Sequence, residues 1–371
     1  MKIGDTSNET FITVRLNGQG AVRRLIGPGK SPKPFTGYRV NAGDLIYSRI
    51  DARNGAFAIV PDQLHGGVVS KDFPTFSIND NVVLADYLTQ YLQSARMKNQ
   101  IQATSFGATN RQRITEDALM RMKIPLPDLD EQERITQALW TATATVKRAR
   151  SMQNELEQVL LHKTMDLHAR PDTKQVEISS LVRGFVSGRS FPDVEDSMAG
   201  MWSVLRVGAV STGNFAPSMA KPLAISYVPP ESQRVQQGDL LINRSNTPDL
   251  VGQVSYVWDE TDYLAMPDTI WKFDWLKPAE ATPIYMWATL RTPRMRRAVR
   301  DLASGTSSTM RKINRERMMR LAVPWPCHED RVRIEKIAQS VQEVRKAARK
   351  HEERAQELCD SLQYRAFQGE L

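Results

Sequence analysis

Two loops in this 371-residue chain carry side chains suited to gripping a polyanion and reading the edges of its bases. The first runs from Ala103 to Arg113 and holds Ser105, Thr109, Asn110, Arg111 and Arg113. The second runs from Ser304 to Lys312 and holds Ser307, Ser308, Thr309, Arg311 and Lys312. Hydroxyls and amides exchange hydrogen bonds with phosphates and bases, and a guanidinium group can do so with two donors at once. A second pair of candidate clusters follows a Gly-Asp-Leu turn. Gly43-Asp44-Leu45-Ile46 leads to Arg49, with Asp51, Arg53, Asn54 and Lys71 beyond it; Gly238-Asp239-Leu240-Leu241 leads to Asn243, Arg244, Asn246 and Thr247. One such loop is ordinarily a solvated connection, but two at matching positions point to nucleic-acid contact.

Catalytic chemistry leaves no comparable signature. The chain has no Asn-Pro-Pro-aromatic or Asp-Pro-Pro-aromatic box for amino-methyl transfer, no Walker A sequence and no His-Glu-x-x-His helix. Its five histidines, His65, His162, His168, His328 and His351, lack metal-ligand spacing. Gly18-Gln19-Gly20 and Gly27-Pro28-Gly29-Lys30 precede no helix and read as turns rather than phosphate loops. The two cysteines, Cys327 and Cys359, make no disulfide framework, and Cys359 reads as helix packing. With no 18-residue apolar run and no signal peptide at Met1-Lys2-Ile3-Gly4-Asp5, the expectation is a cytoplasmic chain away from membranes, with no cofactor or metal of its own.

The net charge of +8 is unevenly placed. Between Arg291 and Arg320 ten Arg or Lys residues face only Asp301 and Glu316, an excess equal to that of the whole chain. From Arg96 to Lys123 six bases face Glu116 and Asp117. Positive charge gathered beside the two loops, rather than spread, is the footprint of a polyanionic partner.

The loops are positioned by a duplicated segment. RITEDALMRMKIPLPDLDEQERITQALW starts at Arg113, and KINRERMMRLAVPWPCHEDRVRIEKIAQ starts 199 residues later at Lys312. Ile114 falls on Ile313, Met120 on Met319, Pro125 and Pro127 on Pro324 and Pro326, and Ile135 on Ile334. Each copy reads as a short helix, an extended Pro-x-Pro bridge and a long amphipathic helix, because proline removes a donor and pushes the residue before it out of helical geometry. Asp130 with Glu133 has the spacing of a cap and its partner in the first copy. Apolar seams run at alternating three- and four-residue steps. They are Ile135, Leu139, Ala142, Val146, Ala149, Leu156, Leu160 and Leu167 in one helix, and Ile334, Ile337, Val341, Val344, Ala348, Ala355, Leu358 and Leu362 in the other. Helices of about 40 residues, roughly 60 Å long at 1.5 Å per residue, cannot bury such a seam alone, but two can bury each other's. Chain order favours antiparallel pairing.

The remainder reads as β-rich. Strands are expected at Phe11–Leu16, Asp44–Ile50, Ala56–Val60 and Thr75–Ile78, and again at Trp202–Val207, Asp239–Asn243, Gly252–Val257 and Thr269–Phe273. One helix is expected over Asp86–Gln102, and a polar linker over Ala169–Val176. The first unit has roughly 25 residues fewer ahead of its Gly-Asp-Leu turn than the second, so it reads as N-terminally short.

Together GDLIYSRIDARNGAFAIVP, GVVSKDFPTF, GDLLINRSNTPDLVGQVSYV, KIPLPDLDEQERI and AVPWPCHEDRVRI make the chain resemble, over essentially its whole length, the DNA-specificity subunit of type I restriction-modification systems. The resemblance implies an α+β fold with a pseudo-two-fold internal repeat. Residues 1–127 and 171–326 would be two target-recognition domains, separated by a long antiparallel two-helix coiled coil from spacer helices 128–170 and 327–371. It implies double-stranded DNA as ligand, each domain reading one half of a split, asymmetric site. It also implies two docked methyltransferase subunits that carry S-adenosylmethionine, and ATP-driven restriction subunits. A stand-alone regulatory or architectural DNA-binding protein with a coiled-coil spacer shares the same sequence features.

Overall fold

The computed structural model describes all residues except 1, 5, 7, 28–32, 107–112, 195–198, 306–309 and 369–371. Its α-helices are α1 (Ala85–Gln93), α2 (Ala95–Thr104), α3 (Glu116–Met120), α4 (Leu129–His168), α5 (Gly208–Ser211), α6 (Pro283–Arg291), α7 (Pro293–Asp301), α8 (Arg315–Met319) and α9 (His328–Ala366). The chain divides into two compact units, residues 1–150 with 349–371, and residues 151–348.

In the first unit Leu45–Tyr47 pairs antiparallel with both Phe57–Ile59 and Thr75–Phe76. A second sheet joins Lys2–Ile3, Phe35–Arg39 and Val68–Ser70. Tyr47, Phe57, Tyr91, Met97, Ile101 and Ile114 form a core that also takes in Ile135 and Leu139 of α4 and Ala366 and Phe367 at the end of α9. Phe367 meets Tyr91 edge-on at 4.8 Å and Tyr87 at 5.7 Å, a preferred arrangement for buried rings.

In the second unit Ile270–Trp275 and Leu240–Asn243 are the central strands of a four-stranded antiparallel sheet flanked by Val182–Val186 and Val254–Tyr256. Strand Arg311–Ile313 lies between Ser245–Asn246 and Ala303–Ser304, so both ends of the second loop are clipped to the sheet. The core runs through Trp271, Phe273, Tyr285 and Trp287 to Leu160, Leu167, Ile334 and Ala338 of the long helices.

Several expectations shift by a residue or an element. The helix expected over Asp86–Gln102 is two, because Ser94 turns extended and its hydroxyl accepts the Met97 N–H at 3.3 Å to cap α2. Helix α4 is capped by Asp128, which accepts the Glu131 N–H at 2.9 Å, and not by Asp130 two residues on. The polar linker is partly a strand: Lys174–Glu177 pairs with Ala322–Trp325, and Pro324 sits within that ladder opposite Gln175. The seam of α9 takes Ala338, Val341, Ala348, Ala355 and Cys359 inward, while Val344 and Leu358 are 39% and 56% exposed. Drift of the 3.6-residue turn against a heptad moves a stripe round by a residue, which a list of apolar positions does not show.

The long helices meet antiparallel within each unit. Thr143 Oγ1 lies 3.7 Å from Cys359 Sγ, and Arg150 Nε donates to Glu352 at 2.6 Å in the first unit. In the second, Glu157 faces Arg345 at 3.7 Å and also receives Arg291, whose side chain is only 6% exposed. Burial lowers the Arg291 pKa to about 10, and its guanidinium lies 4.4 Å from the Trp287 ring centroid.

The duplication extends to hydrogen bonds that the sequence does not display. Tyr87 donates its hydroxyl to the Pro125 carbonyl at 3.0 Å, and Tyr285 does the same to Pro324 at 2.8 Å. Burial pushes both phenols up to about 12, holding them in the protonated form that donates. Gln132 and Arg331 occupy equivalent places on α4 and α9 and each donates to its bridge proline, Pro127 or Pro326, at 2.9 Å.

Candidate nucleic-acid interface

Both Gly-Asp-Leu turns are built alike. Gly43 and Gly238 adopt φ of +85° and +94°, a region that a side chain strongly disfavours. The aspartate that follows accepts a backbone N–H three residues back, Asp44 from Asn41 at 3.1 Å and Asp239 from Gln236 at 2.8 Å. The short strand launched by each turn delivers an arginine to a crossing of three segments. The Arg49 N–H donates to the Asp72 carbonyl at 2.9 Å and its carbonyl receives Ile114 N–H at 3.1 Å. Arg244 repeats both bonds, to Thr269 at 2.9 Å and from Ile313 at 2.9 Å. Each unit therefore places an arginine directly beside the trailing end of its basic loop.

The predicted residues separate on this scaffold. In the first unit, Arg49 is half-buried and ion-pairs with Glu116, while Arg113 is exposed and reaches Asp72 at 3.4 Å. Asp51 precedes the 3-10 turn Ala52–Asn54; Asn54 is exposed, Arg53 half-buried and Lys71 exposed. Ser105 closes α2 and donates its hydroxyl to the Ile101 carbonyl at 2.6 Å, so that hydroxyl is already engaged in a cap. In the second unit, Arg311 and Lys312 are exposed on their strand, Thr247 is exposed and Arg244 is half-buried with its guanidinium 5.4 Å from the Trp271 ring centroid. Thr109, Asn110, Arg111, Ser307, Ser308 and Thr309 lie outside the described residues.

Two of the expected contact residues are buried. Asn243 is 0% exposed and Asn246 7%, and both amides donate to Ser211 Oγ, at 3.2 and 3.0 Å. The strand Leu240–Asn243 is covered on both faces, so alternation along it gives Asn243 no outward side, and both amides tie their strands to α5.

The sequence reading overlooked Trp271, Ser304, Asn314 and Arg315. With Arg244 and Lys312 they line an open depression of about 410 Å³. Arg315 donates to the Phe185 carbonyl at 2.7 Å and lies 5.7 Å from the Trp271 ring centroid, so two guanidinium groups flank one indole. Glu116 and Asp72 were overlooked as well. A carboxylate at Glu116 aligned with a guanidinium at Arg315, 199 positions on, was the signal available. Among the described residues no group of three or more His, Cys, Asp and Glu side chains is placed to hold a metal ion, and no helix is long and apolar enough to cross a membrane.

The chain is similar to known proteins in sequence and in fold. The model of the type I restriction modification DNA specificity domain matches residues 11–158, which include the first turn, the first loop and most of α4. Less than half of the chain is matched, and over that stretch the chain is similar to the type I restriction-modification DNA-specificity family. It is 27% identical over 158 residues to the type I restriction enzyme HindI specificity subunit of Haemophilus influenzae, covering 42% of this chain and 32% of that one. It is 21% identical over 314 residues to the EcoKI specificity subunit of Escherichia coli, covering 79% of this chain and 67% of the relative. The chain thus spans about a third of the first relative's length and about two thirds of the second's. In fold it is similar to the type I restriction-modification S subunit of M. genitalium, with a TM-score of 0.52 at 12% identity, over 99% of this chain and 96% of that structure.

Proposed function

We propose that this chain is the non-catalytic DNA reader of a modification and restriction complex, each unit recognising one half of a bipartite, asymmetric site in double-stranded DNA. The observation that carries the proposal is the repeated anchoring of Arg49 and Arg244, each hydrogen-bonded through its own backbone to the trailing end of a basic loop. Side chains that differ on a shared scaffold, Asp51, Arg53 and Asn54 against Thr247 and Asp249, are what two readers of unlike half-sites require. The paired α4 and α9 would act as a spacer of fixed length, and DNA presents the same groove face about every 34 Å, so such a spacer would set the gap between half-sites. Methyl transfer with S-adenosylmethionine would belong to two docked methyltransferase subunits, and ATP-driven cleavage to restriction subunits.

The test is to mix the purified chain with methyltransferase subunits and map methylation on a genomic library. A split motif that appears only when the chain is present supports the reading. Tight, selective DNA binding with no methylation under any partner would favour the stand-alone DNA-binding protein instead.

A further inference from the structure

The two units differ at matched positions in whether their cations are paired. In the first unit Glu116 ion-pairs with Arg49, and Asp72 lies 3.4 Å from Arg113. The second unit keeps the cations, Arg244 for Arg49 and Lys312 for Arg113, and replaces both anions. Thr269 accepts the Arg244 N–H at 2.9 Å as Asp72 accepts that of Arg49, and Arg315 stands 199 residues after Glu116. Among the described residues no carboxylate pairs with Arg244, Lys312 or Arg315. Nε1 of Trp271, a donor, is buried without a hydrogen-bond partner, as is Nε of Arg244 and, in the first unit, that of Arg49. Three cations converging on an open depression around an indole make an anion seat of a size and chemistry suited to a phosphodiester oxygen pair.

We propose that the depression over Trp271 is a backbone-phosphate seat, open in the second unit and closed at the equivalent place in the first by Glu116 and Asp72. It rests on the DNA-reading function above and adds a division of labour. The second unit anchors the duplex through its phosphates, and the first engages DNA by exchanging internal ion pairs for external ones, so its contacts form at little net change in charge. The concentration of the chain's surplus charge between Arg291 and Arg320 supports the same polarity.

The test measures binding of the full chain to a fluorescein-labelled mixed-sequence 30-bp duplex across a salt series, for wild type, Arg315→Gln, Lys312→Gln and Glu116→Gln. Arg315→Gln and Lys312→Gln should each weaken binding roughly tenfold at 0.1 M salt and flatten the slope of log affinity against log salt by about one. Glu116→Gln should strengthen binding severalfold and steepen that slope by about one, since it removes an anion and leaves Arg49 uncompensated. Because Arg315 also holds the Phe185 carbonyl, its result is read beside that of Lys312, which has no such structural bond, and beside thermal unfolding of each variant. Wild-type binding that Lys312→Gln and Arg315→Gln leave unchanged, or that Glu116→Gln weakens, would overturn the seat while sparing the DNA-reading function. A wild-type chain that retains no duplex at any salt would overturn both.

Discussion

Arg49 and Arg244 share a backbone environment yet differ in what their guanidinium groups meet. Arg244→Ala, which removes a cation of the phosphate seat, should weaken binding alike at every site, whereas Arg49→Ala should relax specificity in one half-site, by on the order of 1 to 3 kcal/mol for a lost bidentate base contact. Methylation mapping that shows uniform weakening at all sites would reduce Arg49 to a phosphate clamp. At this scale a buried histidine adds a pH signature. Burial lowers the His168 pKa from 6.5 to about 4, with a smaller contribution from Arg294, and its Nε2 lies 3.2 Å from Thr289 Oγ1. The unfolded chain therefore binds the extra proton first, and His168 contributes stability that is complete above pH 6.5 and lost as pH falls towards 4. Asp239 and Glu335, both raised by burial, act with the opposite sign over the acid range. The informative quantity is thus the difference between wild type and His168→Gln. That difference in melting temperature should shrink between pH 7 and pH 4, and a constant offset would reject the assignment.

Among the elements, the long helices are held at particular points rather than uniformly along their seams. Phe367, 4% exposed, fixes the end of α9 between Tyr87 and Tyr91. Phe367→Ala should destabilise the first unit by about 3 to 5 kcal/mol, read from denaturant midpoints, because truncating a buried ring leaves a cavity as well as losing transfer energy. Glu157 holds a different position, between Arg291 and Arg345 on the second unit's stretch of the pair. Glu157→Ala would leave the Arg291 guanidinium buried and without its anion, at a cost of about 3 to 5 kcal/mol. Glu157→Gln, which keeps an acceptor, should be milder. Equal effects from the two substitutions would show that packing, rather than charge, holds this crossing.

For the whole molecule, two separate cores imply two cooperative units. Residues 151–348 bury Trp271, Trp287 and Tyr285 together, whereas residues 1–150 with 349–371 bury Tyr47, Phe57 and Tyr91. Calorimetry should therefore give a total enthalpy above the van 't Hoff value, with Glu157→Ala moving one component and Phe367→Ala the other. One transition shifted equally by both variants would mean that the units unfold as one.

Much of this organisation was legible in the linear chain. The 199-residue offset, the Pro-x-Pro bridges, the two long helices and the matched Gly-Asp-Leu turns all rest on local rules: proline's missing donor, the 3.6-residue period and glycine's access to positive φ. The exposed basic residues Arg311, Lys312 and Arg113 were readable for the same reason, since charged side chains beside polar loops seldom bury. What only the tertiary structure decided was which polar groups face inward and which charges meet. Asn243 points at Ser211 because a strand covered on both faces has no solvent side, and Asn246, on a neighbouring strand, meets the same hydroxyl, a fact set by α5 and its neighbours rather than by either strand. Glu116 meets Arg49 across 67 residues, and Arg315 and Arg244 flank Trp271. Coulombic pairing depends on distance in space, which sequence separation does not encode, and that is why the paired arginines of one unit and the unpaired ones of the other emerged only with the fold.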